Sequence, residues 1–87
     1  MGRLSAYREF KNNINTVVFS RSSDVVIASS YDGRIRILRN DVRTGTLTLI
    51  QELRHAGTAN VYSLSLFRDG SGMVSSSGDQ TVRWWGI

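Results

Sequence analysis

The chain has 87 residues, a net charge of +4 and no cysteine. A chain this short sits near the limit where one hydrophobic core is marginal. Without cysteine it has no disulfide framework, no thiol chemistry and no thiolate metal site. The N-terminal MGRLSAYREF lacks an apolar core of signal-peptide length, and no stretch is long enough to span a bilayer, so the sequence predicts a soluble protein, intracellular and either cytoplasmic or nuclear.

Short strands are predicted throughout, in an antiparallel all-β arrangement. Leu4–Phe10 (LSAYREF) reads as a first strand-like segment. Ile14–Phe19 and Val25–Ser29 are rich in β-branched and aromatic residues, and Arg34–Arg39 alternates polar with apolar. Leu47–Leu53 alternates in part, and further strands fall near Val61–Phe67, Met73–Ser76 and Thr81–Trp85. Turn signals separate them: RSSD and RDGSG, where Asp69-Gly70 can supply a positive φ, then YDG and GDQ. Serine and glycine are frequent but lie between apolar runs, which argues against disorder.

Residues 14–40 and 61–87 are two copies of one pattern, aligned without a gap at a spacing of 47. Ile14 pairs with Val61, Val17 with Leu64, Phe19 with Leu66, Val26 with Met73, Ile27 with Val74 and Ile35 with Val82. Arg21/Arg68, Ser29/Ser76, Ser30/Ser77, Asp32/Asp79 and Arg36/Arg83 are identical. Leu4–Phe10 and Leu47–Leu53 match at a shift of 43, so each copy is preceded by one extra strand. A repeat of this length marks stacked supersecondary units, none of which buries its faces alone.

VVIASSYDGRIRIL and MVSSSGDQTVRWW resemble WD40 repeats: a small-residue strand, an Asp turn and a strand closing on Trp. The resemblance implies two four-stranded antiparallel blades of a WD40-type β-propeller, with the ring completed by other copies or another chain. Residues 1–13 would hold the outermost strand of a neighbouring blade, 14–54 the first blade, and 55–87 a second blade lacking its outermost strand. The family's buried tetrad is His, Ser or Thr, Asp and Trp. Ser75, Asp79 and Trp85 fill three of these places, while Gly57 stands at the His position with His55 two residues earlier. In the first copy Asp32 remains, and Phe10, Ala28 and Leu38 take the other three places. These tetrad roles are structural. The family usually docks partners on the face formed by the loop before the innermost strand and the turn after the second. Carried over, that face shows Asn13, Asn15 and Tyr31 in the first copy, and Asn60, Tyr62 and Gly78 in the second.

No constellation points to catalysis or to a cofactor. His55 is the only histidine, so a transition-metal site would need carboxylates alone beside it. Ser29–Ser30 and Ser75–Ser77 have no base at fixed spacing and no strand-to-helix elbow. DGSG and AGT lack a phosphate-loop lysine and a following helix. Ten of the eleven basic residues are arginine, scattered from Arg3 to Arg83 without a block of like charge. The sequence therefore predicts a non-enzymatic protein–protein interaction scaffold, either a homo-oligomer or a unit completed by another chain. The alternative is an RNA- or DNA-binding propeller module using its arginines.

Overall fold

A computed structural model describes residues 6–10, 12–20, 24–41, 43–55, 60–67 and 69–86. Seven strands follow in chain order: β1 (Ile14–Phe19), β2 (Val25–Ser30), β3 (Arg34–Asp41), β4 (Thr46–Arg54), β5 (Val61–Leu66), β6 (Gly72–Ser77) and β7 (Val82–Gly86). They form two antiparallel sheets in chain order, β1-β2-β3-β4 and β5-β6-β7. The 47-residue offset of the sequence holds in three dimensions. Val17 opposes Ala28 as Leu64 opposes Ser75, and the register shifts at Ile14/Thr16 in β1 and at Val61/Ser63 in β5.

The β2–β3 and β6–β7 turns are built alike because each carries Ser, one further residue, then Asp. Ser30 Oγ accepts from Asp32 N and Ser77 Oγ from Asp79 N, both at 3.2 Å. The Asp carboxylate then accepts from the backbone two residues on: Arg34 N to Asp32 at 2.9 Å and Thr81 N to Asp79 at 3.0 Å. Such side-chain-to-backbone bonds hold the turn between the paired strands. Both turns need a positive φ, supplied by Gly33 at 83° and by Gln80 at 71°. Glycine adopts that region freely, whereas Gln80 does so against its Cβ.

The core lies between the two sheets. Ile27, Ile35 and Ile37 of the first sheet pack on Val61, Leu64 and Met73 of the second, flanked by Val18, Val25, Leu53, Leu66 and Trp85. Period-2 alternation selects these faces: Ile35 and Ile37 point one way from β3 while Leu38, beyond a register shift, is buried on the other side with Val26 and Ala28. Polar latches join β1 to β5. Asn15 Nδ2 donates to Val61 O, and Thr16 Oγ1 donates to Tyr62 O at 3.3 Å.

Ile14–Phe19 is found as read, and the other strands end within one or two residues of the sequence reading, β3 running on to Asp41. β4 runs a residue further at each end than Leu47–Leu53 because it pairs along all of β3, out to Asp41 opposite Thr46. Residues 6–10, the described part of Leu4–Phe10, form no strand. Their aromatic rings pack against each other and against β3. Tyr7 and Phe10 meet edge to face at 5.9 Å, and Phe10 lies under the Arg36 guanidinium. Residues 1–5 lie outside the described residues.

Candidate functional site

Each sheet carries a polar cluster on the side of its Asp turn. In the second sheet Ser75 comes from β6, Trp85 from β7, Asp79 from the turn between them and His55 from the residue after β4. Trp85 Nε1 donates to Ser75 Oγ at 2.9 Å. The His55 ring is fully buried, with Nε2 3.5 Å from Ser75 O and Nδ1 3.9 Å from Asp79 Oδ2. Its ring meets that of Trp85 at 6.1 Å and 64°. His55 Nδ1 is a buried atom without a hydrogen-bond partner among the described residues.

The sequence left open whether His55 joins Ser75, Asp79 and Trp85. The structure brings all four together, and Gly57 lies outside the described residues. The bond that places His55 comes from the first sheet's turn: its backbone N–H donates to Gly33 O at 2.9 Å. The Thr81 hydroxyl, 2.6 Å from Asp79 Oδ1, holds the Asp79 carboxyl below the usual carboxylate range. Partial burial opposes that shift, and the backbone N–H of Thr81 reinforces it.

The first sheet replaces this cluster with charge. Arg36, 3% exposed, pairs with Asp32 Oδ2 and Glu52 Oε1, each at 3.1 Å. Arg34 Nε reaches Glu52 Oε2 at 3.1 Å, and the Phe10 ring closes the other side of Arg36 at 4.4 Å. A buried guanidinium held by two carboxylates and an aromatic face satisfies both its charge and its donors. The pattern of the first copy gave no role to Arg36 beyond its identity with Arg83. That identity was the available signal, since Arg83 Nη2 likewise approaches Asp79 Oδ2, at 3.5 Å.

The turn edge gathers most of the residues expected to meet partners. Tyr31 N donates to Asn13 O at 3.0 Å, and Gly78 N to Asn60 O at 2.8 Å, so each copy presents its loop and turn side by side. Tyr62 is 53% exposed, and a Cβ on Gly78 would stand 3.2 Å from its hydroxyl, so the ring lies along this turn. Asn15 departs from the expectation. Its amide donates to Val61 O and accepts from Ser29 Oγ at 2.6 Å, so both ends are engaged within the chain.

The model of the WD domain, G-beta repeat, matches residues 3–38 and 47–86. The chain belongs to the WD40 family. No curated protein and no solved structure matches it. The first match takes in β1, β2 and most of β3 with the segment before them, and the second takes in most of β4 with β5, β6 and β7, so each match is three strands and the segment that precedes them. WD40 repeats generally serve as protein-interaction scaffolds and are typically non-enzymatic. No helix among the described residues is long and apolar enough to cross a membrane.

Proposed function

We propose that the chain is a non-enzymatic protein–protein interaction scaffold, a two-blade unit of a β-propeller that docks a protein partner on its turn edge. The observation that carries this reading is Tyr62, exposed beside Asn60 and Gly78. A tyrosine held against a turn offers rigid apolar area and a polar tip at small entropic cost, as interface residues do. Asn13 and Tyr31 present the equivalent edge of the first blade. In this reading residues 1–13 supply the outermost strand of a neighbouring blade. Ser75, Asp79, Trp85 and Asp32 hold the turns that display the edge.

The charge distribution supports a protein partner over nucleic acid. Arg34 and Arg36 are tied to Glu52 and Asp32, and Arg83 approaches Asp79. Arg36, buried between two carboxylates, is not available to neutralise a phosphate, and the arginines of the chain form no block of like charge. The test compares proteins captured by the wild-type chain, by Tyr62→Ser and by Thr48→Ser on the exposed face of β4. Partners lost with Tyr62→Ser and kept with Thr48→Ser are expected. An identical set from all three overturns the turn-edge reading. Tight binding to random duplex DNA that falls steeply with salt transfers the function to the nucleic-acid alternative.

A further inference from the structure

The two sheets cover one face of each other and leave two faces outward. The outer face of the first sheet holds an apolar hollow of about 400 Å³, with Ile14, Val17, Phe19, Val26, Ala28 and Leu38 in its wall and Tyr7 and Phe10 of the N-terminal segment beside them. Val17 and Phe19 are 50% and 60% exposed there. The outer face of the second sheet presents Val82 and Trp84, 74% and 62% exposed, with Val74 opposite Trp84 in the register. Exposed apolar area of this kind, gathered rather than scattered, marks a contact surface.

The chain already shows what each kind of face takes. Adding 47 turns Ile14, Val17 and Val26 of the hollow into Val61, Leu64 and Met73, which cover Ile27, Ile35 and Ile37 in the core. The same shift turns Ile27, Ile35 and Ile37 into Val74, Val82 and Trp84. The open faces are therefore the two halves of the interface that the chain makes once internally.

Their sizes differ from the internal pair in a compensating way. The hollow has Leu38 and Ala28 where the second sheet has Trp85 and Ser75. The opposite face has Trp84 where the first sheet has Ile37. A larger projection stands at one end of the chain and a larger recess at the other. Interiors tolerate neither voids nor overpacking, so a face carrying isoleucine would leave this recess underfilled. A face carrying a tryptophan in place of Leu38 would crowd Trp84.

We propose that copies of this chain stack head to tail, with Val82 and Trp84 of one copy seated in the hollow at Val17, Val26, Ala28 and Leu38 of the next. The compensating sizes select a second copy over a blade of another build. The contact is heterologous, so it repeats from copy to copy until rotation closes a ring. Propellers close with about 4–8 blades, so three or four copies of two blades each complete one. This inference concerns the end faces and does not depend on the turn edge, so either can fail alone.

Sedimentation velocity of the 87-residue chain at micromolar concentration decides it, with circular dichroism as the check of fold. Wild type is expected as a three- or four-copy species. Trp84→Arg sets a charge where the apolar projection would enter the recess and Leu38→Trp fills the recess, and each is expected to give a folded monomer. Joining Leu38→Trp with Trp84→Ile recreates at the ends the sizes of the internal interface and is expected to restore assembly. A monomeric wild type, or an oligomer that survives Trp84→Arg, overturns the proposal. If Trp84→Arg does not fold, Leu38→Trp decides alone, and an oligomer unchanged by it is equally fatal.

Discussion

Trp85 Nε1 and Ser75 Oγ, on adjacent strands but not opposite one another, are joined at 2.9 Å with Ser75 almost wholly buried. The indole has one donor, and this bond satisfies it. Trp85→Phe keeps most of the ring and loses the bond, which is expected to cost about 1–2 kcal/mol. Trp85→Ala loses packing on the core as well and is expected to cost about 3–5 kcal/mol. Denaturant midpoints measure both. A Ser75→Ala, Trp85→Phe double-mutant cycle should return a coupling of about 1 kcal/mol. Midpoints equal to wild type for both Trp85 variants would remove this pair from the supports of the second blade.

Arg36 and Asp32 form the most buried ion pair among the described residues, with side chains 4% and 7% exposed. Removing one partner of such a pair leaves a desolvated charge, so Asp32→Ala is expected to destabilise by about 3–5 kcal/mol. Replacing both, as Asp32→Ala with Arg36→Met, is expected to recover much of that loss, because an apolar side chain meets Phe10 and Ala28 without unpaired charge. Thermal melts of the single and double variants test this. A double variant less stable than Asp32→Ala would mean that the charge of Arg36 is held chiefly by Glu52.

The Thr81 hydroxyl governs the acid limit of the second turn. Asp79 titrates below the usual carboxylate value of 3.8, first because Thr81 Oγ1 donates to it. A carboxyl depressed in the folded state adds stability that is fully present above its unfolded pKa. That stability is lost as pH falls through the lower, folded value. Thr81→Val removes the donor at nearly constant shape. The Asp79 carboxyl should then titrate closer to 3.8, and the dependence of stability on pH below that value should flatten. Carbon-detected titration of the carboxyl, beside unfolding midpoints over the same pH range, gives both readings. An unchanged Asp79 titration in Thr81→Val would assign the depression to the backbone N–H groups instead.

The strands were legible because β-branched pairs and Asp turns recur at one spacing. Ile14–Phe19 is found as read, and Val25–Ser29 gains one residue. The offset of 47 located the strands of the second sheet and its turn without any tertiary information, while the shared bulge appears only in the structure. The polar clusters were less legible. His55 sits two residues before the position the pattern assigns, and only a backbone bond to Gly33, distant in sequence, brings its ring to Ser75. Arg36 looked like one of many surface arginines because its partner Glu52 lies on β4, outside the repeated stretch. Asn15 looked like a loop residue, and its use as a bridge depends on how β1 and β5 meet. Alternation and turn chemistry are local and can be read from sequence. Which side chain closes a cluster is decided by where two sheets cross.

His55 has its amide fixed to one blade and its imidazole enclosed by the other. The second blade cannot swing away from the first without either breaking the bond to Gly33 or pulling a buried ring into water. The two blades therefore open and close as one cooperative unit. The slowest-exchanging amides of β2 and β6 should share a single opening free energy, although more than forty residues separate them along the chain. His55 thus adds a polar rivet to the shared core and makes two repeats one thermodynamic object.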